Sequence, residues 1–216
     1  MEPSHFDDFM KPWVKICGIT TVADAEMLVE AGVSAIGLNF VPSSPRVISA
    51  GVAREIVEAV GRRAEVVAVV VDQTREALEE LFRVTEVDSV QLHGNESPEF
   101  LATCPFPAFK AMRIGSAADA QAALAYGGER ILVDAKVAGA QGGTGKSFDW
   151  QLIEELNACR RMVLAGGLSP DNVAQAMQVV RPYGVDTASG VESAPGSKDR
   201  AKSREFVAQA NLAWRK

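Results

Sequence analysis

Eight short apolar runs of strand type recur along this chain, each followed by a stretch that could form a crossover, and no other feature constrains the fold as much. The runs are VKICG (14–18), AIGLNF (35–40), EVVAVVVD (65–72), SVQLHG (89–94), FKAMRI (109–114), RILVDA (130–135), RMVLAGG (161–167) and GVDTASG (184–190). Between them lie amphipathic segments such as TVADAEMLVEAG, where Ala25, Leu28 and Val29 share a face. Ser49, Thr74, Ser97, Ser116 and Ser169 stand where helix caps belong, and Pro follows Ser97 and Ser169 at the first helical position. A final segment from about Ser197 closes the chain. Eight strand–helix units in succession predict an α/β fold, a single (β/α)8 TIM barrel. At 216 residues it has little room for insertions. The expected domain is one barrel over 1–216, with residues 1–12 a short N-terminal extension. The rival, a doubly wound open sheet, asks for a glycine-rich fingerprint after the first strand, and only Gly18 stands there.

Composition narrows the partners. The net charge is −6 and the pI about 5.1, with no basic tract, which argues against nucleic acid and anionic membranes as partners. No apolar run reaches the length of a membrane span, and the opening MEPSHFDDFMKPW carries acids where a secretory signal has its apolar core. The three cysteines, Cys17, Cys104 and Cys159, are widely spaced without a CxxC pair, which argues against a disulfide framework and a zinc site. The chain therefore reads as cytoplasmic, without a metal site. Its expected partner is a small molecule, and its expected state a monomer or weak homodimer.

A barrel places its active site at the C-terminal ends of its strands. Those ends carry Cys17, Asn39 with Arg46 in the loop beyond, Asp72, Gln91 with His93, Arg113, Asp134 and Asp186. One polar residue at a strand end is an ordinary turn feature; a ring of them at one mouth predicts a polar pocket. The loops after the last three strands are glycine-rich: VAGAQGGTGKS (137–147), AGGLS and ASGVE. The first misses P-loop spacing by one residue and reads as a mobile loop over the mouth. A single glycine-rich loop is as often a plain turn. Three together, after strands 6, 7 and 8, predict a phosphate ester held on backbone N–H groups around Gly143, Gly166, Gly167, Ser189 and Gly190.

KICGIT, SPR, QLHG, LVDA with GGTGKSFDW, LAGGLSPDNV and DTASGVE occur here in that order. Together they resemble the phosphoribosylanthranilate isomerase family of tryptophan biosynthesis, from Val14 to about Glu192. KICGIT with GGTGKSFDW is the specific combination; QLHG or AGGL alone would be weak. The resemblance implies a cofactor-free (β/α)8 barrel. It implies an Amadori rearrangement of N-(5-phosphoribosyl)anthranilate to 1-(2-carboxyphenylamino)-1-deoxyribulose 5-phosphate. It implies Cys17 as general base, Asp134 as general acid, Arg46 on the anthranilate carboxylate and Asp186 as a substrate-site residue. Val47 stands where the family commonly has an aromatic, and Ala188 where it has the first of two serines.

Each candidate has a plainer reading. A cysteine ending a strand is often a buried small hydrophobe. A terminal aspartate is often a cap, and an arginine a surface charge. His93 is a substrate-binding candidate that could equally bond a neighbour. Lys15, on the face of Cys17, either favours a thiolate whose pKa is lowered toward neutrality or pairs with Asp186 inside the barrel. The related histidine-pathway isomerase chemistry uses two aspartates, which Cys17 argues against. A non-catalytic phosphoribosyl binder would have little use for Cys17, Arg46 and Asp134 together.

Overall fold

The computed structural model describes residues 11–135 and 151–215. Gly143 and the GGTGKSFDW motif lie outside the described residues, as does the 137–147 loop expected over the mouth.

Eight parallel strands close into a barrel in sequence order: β1 (Trp13–Cys17), β2 (Ala35–Asn39), β3 (Glu65–Val70), β4 (Ser89–Leu92), β5 (Ala108–Arg113), β6 (Arg130–Asp134), β7 (Arg161–Ala165) and β8 (Gly184–Thr187). The crossovers contain α1 (Val22–Ala31), α2 (Ala50–Val60), α3 (Arg75–Thr85), α4 (Pro98–Ala102), α5 (Ala117–Leu124), α6 (Gln151–Cys159) and α7 (Val173–Val180). A hairpin of β9 (Glu192–Ala194) and β10 (Ser197–Lys198) follows β8, and α8 (Arg200–Trp214) packs between α7 and α1. No described helix is long and apolar enough to cross a membrane.

Strand periodicity sorts the side chains into two layers. Val14, Ile16, Ile36, Leu38, Val66, Ala68, Ile131, Val133 and Val185 face outward under the helices, in one buried cluster with Leu28, Ile56, Leu78, Leu156 and Phe206. The alternate positions, Trp13, Ala35, Val67, Phe109, Ala111, Leu132, Val163 and Ala165, fill the barrel. Each fully buried Leu or Ile contributes roughly 1.5–3 kcal/mol, so the outer layer carries most of the hydrophobic stabilisation. Inside, bulk on one strand is matched by its absence on the next. Trp13 pairs with Gly184, where a Cβ would overlap the Trp13 carbonyl oxygen and stand 2.9 Å from its Cβ.

Thr21, Ser49, Thr74, Ser97 and Ser116 cap their helices, each accepting an N–H from the first turn. Ser169 does not. The chain makes a turn through Pro170, and α7 starts after Asn172, whose side chain accepts from Ser169 N at 2.8 Å and donates to the Gly167 carbonyl at 3.0 Å. An asparagine that bonds both ways within the turn outcompetes the serine cap. The β9–β10 hairpin, absent from the sequence expectation, is too short for alternation to reveal.

The exits of β7 and β8 are clamped together. Thr187 Oγ1 donates to the Leu168 carbonyl at 2.6 Å, and a Cβ on Gly190 would overlap that carbonyl oxygen. Gly190→Ala must push the two loops apart, at about 1–3 kcal/mol. The expected thermal midpoint is roughly 2–12 °C below wild type; an unchanged melting curve contradicts this packing.

Candidate active site

At the C-terminal mouth a cavity of about 280 Å³ opens. Cys17 from β1, Asn39 and Arg46 from β2 and its loop, Gln91 and His93 from β4, and Asp134 from β6 line it. Ala165, Gly166, Gly167 and Leu168 from β7, and Asp186, Thr187, Ala188 and Ser189 from β8, complete the described wall. Gly190 lies just behind, against Leu168. Larger clefts, of about 550 Å³ beside Met177 and Trp214 and about 420 Å³ at the N-terminal face, bring together no comparable set of thiol, carboxylate and imidazole.

Two members of the expected polar ring are elsewhere. Asp72 lies two residues beyond β3 with φ +50°, and its carboxylate accepts from Asn95 N at 2.5 Å and Asn95 Nδ2 at 3.0 Å. Arg113 is exposed and does not line the cavity. Both strand ends give their polar residue to the surface.

Lys15 pairs with Asp186; it also favours the Cys17 thiolate, but not by enough to lower that thiol's pKa. Its ammonium is wholly buried, donates to Asp186 Oδ1 at 3.0 Å, and lies close enough to the Cys17 thiol for each to shift the other's titration. Burial works against the ammonium, but Asp186 and Cys17 outweigh it and raise the Lys15 pKa. Burial also pushes the Asp186 carboxyl up, and Lys15 pulls it back. An ammonium that water does not reach needs an anion in contact, so the pair is ionised. Gly37 makes the space: a Cβ there would lie 2.7 Å from Cys17 Sγ and 3.1 Å from Lys15 Cε.

Cys17 keeps one face on the cavity but is otherwise enclosed by protein. Burial pushes its thiol above the ordinary value; Lys15 and Lys198 pull it down and Asp186 opposes them. The net direction is upward, opposite to the lowered pKa that Lys15 alone would suggest. Desolvation of a thiolate is the larger effect here.

Burial lowers the His93 pKa, with Asp134 opposing, so the imidazole is neutral at physiological pH. Gln91 Nε2 lies 2.9 Å from His93 Nδ1.

Arg46 reaches the cavity wall across Gly18. A Cβ on Gly18 would overlap the Arg46 side chain, and at φ +79° the glycine adopts a backbone that other residues strain to reach. That is why strand β1 ends in Cys-Gly. Arg46 Nε and Nη2 donate to Glu192 Oε1 and Oε2 at 2.7 and 2.6 Å. Burial would raise the Glu192 carboxyl, but bonds from Arg46 and Lys198 hold it down to about 2. Sequence reasoning missed Glu192 and Lys198. Glu192 closes the ASGVE motif, yet nothing in the motif says which cation it meets.

A closed parallel barrel with a thiol, two carboxylates, an imidazole and an arginine on one C-terminal cavity is built as an enzyme of the barrel class. The family model for N-(5'-phosphoribosyl)anthranilate (PRA) isomerase matches residues 14–209, and the chain belongs to that family. The N-(5'-phosphoribosyl)anthranilate isomerase of Stutzerimonas stutzeri is 45% identical over 195 residues, 89% of this chain and 94% of that one. Monomers of the dimeric enzyme from Thermotoga maritima superpose with a TM-score of 0.82 at 38% identity, over 91% of this chain and 97% of that one. A phosphoribosyl anthranilate isomerase in complex with reduced 1-(o-carboxyphenylamino)-1-deoxyribulose 5-phosphate also gives 0.82, at 37% identity and the same coverage.

Two outcomes follow from the buried charges. Lys15→Met strands the Asp186 carboxylate and should cost about 3–5 kcal/mol in urea unfolding, whereas Lys15→Met/Asp186→Leu recovers much of it. A double variant as unstable as the single contradicts an ionised pair. The raised Cys17 thiol predicts that its alkylation by iodoacetamide, followed by peptide mass spectrometry, keeps accelerating with pH beyond about 8.5, the ordinary thiol value. A plateau below that pH contradicts it.

Proposed function

We propose that this chain converts N-(5-phosphoribosyl)anthranilate to 1-(2-carboxyphenylamino)-1-deoxyribulose 5-phosphate in tryptophan biosynthesis, with Cys17 as general base and Asp134 as general acid. The observation that carries the reading is the convergence of Cys17, Asp134 and Arg46 on one cavity, from strands β1, β6 and the loop after β2. β1 and β6 stand three strands apart around the barrel, on different sides of a substrate in the mouth.

The rearrangement needs two proton transfers. Asp134 protonates the furanose ring oxygen, the sugar opens, and a Schiff base forms at C1′. Cys17 then takes the proton from C2′ as a thiolate. The resulting enolamine tautomerises to the ketone. The ammonium groups of Lys15 and Lys198 favour the thiolate, while enclosure keeps it scarce and basic. Neutral His93, hydrogen-bonded to Gln91 through Nδ1, shares the cavity with Asp134.

The ends of the substrate have partners of matching chemistry. With one edge of its guanidinium on Glu192, Arg46 keeps the Nη1 edge for the anthranilate carboxylate. The phosphate belongs on the backbone N–H groups of Gly167, Ser189 and Gly190, none of which meets an acceptor among the described residues. Gly166 and Gly167, at φ +103° and +73°, turn the chain there as other residues would not. Asp186 acts from beneath, through Lys15. Ala188 costs the site a hydroxyl, but its carbonyl accepts from Lys198 at 3.1 Å. Val47 is exposed at the rim, where a smaller side chain leaves the anthranilate ring more open. The chain is one barrel domain with residues 1–12 as an extension, needs no cofactor, works in the cytoplasm, and is a monomer or weak homodimer.

Loss of phosphoribosylanthranilate fluorescence on adding the protein tests the activity; a substrate signal that decays no faster than in buffer refutes it. Arg46→Ala should raise KM more than it lowers kcat, because the carboxylate is held alike in ground and transition states. A charged hydrogen-bonded contact contributes roughly 1.5–3 kcal/mol, or about 10- to 150-fold in KM. An unchanged KM would mean that Arg46 does not touch the substrate.

A further inference from the structure

One buried ammonium ties together parts of the site that come from opposite ends of the chain. Lys198 Nζ donates to the Cys17 carbonyl at 2.7 Å, the Ala188 carbonyl at 3.1 Å and Glu192 Oε1 at 2.8 Å. Three donors meet three acceptors, and Lys198 is 6% exposed. Glu192 is equally committed: besides Lys198 it takes both bonds from Arg46, and Oε1 also accepts from Gly196 N at 3.2 Å. The hairpin carrying Lys198 is pinned from outside. Thr20 Oγ1 donates to the Gly196 carbonyl at 2.6 Å, and Lys198 N donates to Asp24 Oδ2 at 3.2 Å. The cysteine end of β1, the loop after β8 and the arginine from the loop after β2 thus share one carboxylate–ammonium pair.

We propose that Glu192 and Lys198 are positioning residues, a latch that holds the Arg46 guanidinium and the Cys17 backbone in register with the loop after β8. Glu192 fixes which edge of Arg46 faces the cavity. Lys198 fixes the distance from Cys17 to Ala188, and so from the base to the phosphate subsite. The proposal rests on the functional reading above for the meaning of those subsites. The latch itself rests on the contacts alone.

A latch acts through its neighbours, which separates it from a merely structural ion pair. Cys17 is faced by Lys15 on its own strand, Asp186 on β8, Lys198 on β10 and Arg46 from the loop after β2; Asp134 and His93 share the cavity. Losing the Lys198 charge removes one of the cations that favour the thiolate. Lys198→Met should therefore move the pH midpoint of Cys17 alkylation up by about 1 unit. Should Lys198→Met fail to fold, as judged by circular dichroism, Lys198→Gln keeps two N–H donors for the carbonyls and carries the same expected shift. Glu192→Gln should weaken binding of the reduced product analogue 1-(o-carboxyphenylamino)-1-deoxyribulose 5-phosphate about tenfold, with little further loss in the Arg46→Ala background. A folded Lys198 variant with the wild-type midpoint overturns the proposal. So does a Glu192→Gln effect that multiplies in full onto Arg46→Ala. The alkylation arm needs no substrate. A wild-type chain that does not bind the analogue would refute the functional reading, while the midpoint shift still tests the latch.

Discussion

The barrel closes where β1 meets β8, and that seam contains the ion pair on which the site depends. Lys15 and Asp186 are register partners in the β1–β8 ladder and touch through their side chains at 3.0 Å inside the barrel. An unpaired charge at either position would be buried without compensation, so a register slip along this seam is heavily penalised. The alternating side chains then fall in place. Trp13 lies below Lys15, with Gly184 opposite, and Cys17 lies above it, facing the cavity. The seam fixes the height of the thiol in the barrel as well as its electrostatic surroundings.

Around that seam the site is made as much by missing side chains as by present ones. Gly37 leaves room for Cys17 and Lys15, Gly18 lets Arg46 cross the end of β1, and Gly190 lets the β8 exit touch the β7 exit. The consequence is a crowded mouth with desolvated charges. Crowding explains why the Cys17 thiol is raised although two ammonium groups lie near it. It also explains why, among the described residues, each cation near the thiol has a fixed partner: Lys15 has Asp186, and Arg46 and Lys198 share Glu192.

Much of this was legible in the chain. Alternation along VKIC and RILVD sorts Lys15, Cys17 and Asp134 to the inside, and the eightfold strand recurrence supplies the barrel that brings their ends together. Pairing across the seam was legible only as an alternative, because a lysine next to two acceptors does not declare its partner. Asp72 lies beyond the end of β3 because a strand's last inward position and the first turn of its loop look alike in sequence; Arg113 keeps the inward phase of β5 but stands at its exposed end, outside the cavity. Ser169 lost its cap to Asn172 through a competition between two good side chains that only geometry decides. Glu192 and Lys198 were silent. A six-residue separation within a short hairpin has no periodicity, and their shared partner, Arg46, lies 146 residues upstream of Glu192.

The proposed rearrangement requires Cys17 to remove the C2′ proton. The most direct measurement is kcat for phosphoribosylanthranilate with Cys17→Ala, alongside an unfolding curve showing that the barrel is intact. A positioned general base contributes typically ~10²- to 10⁴-fold, and no other group in this reading is placed to replace it. The expected kcat is therefore at most about a hundredth of wild type, with Cys17→Ser nearly as slow. A folded Cys17→Ala protein that keeps more than about a tenth of wild-type kcat would contradict the account and leave Cys17 a packed residue at the end of its strand.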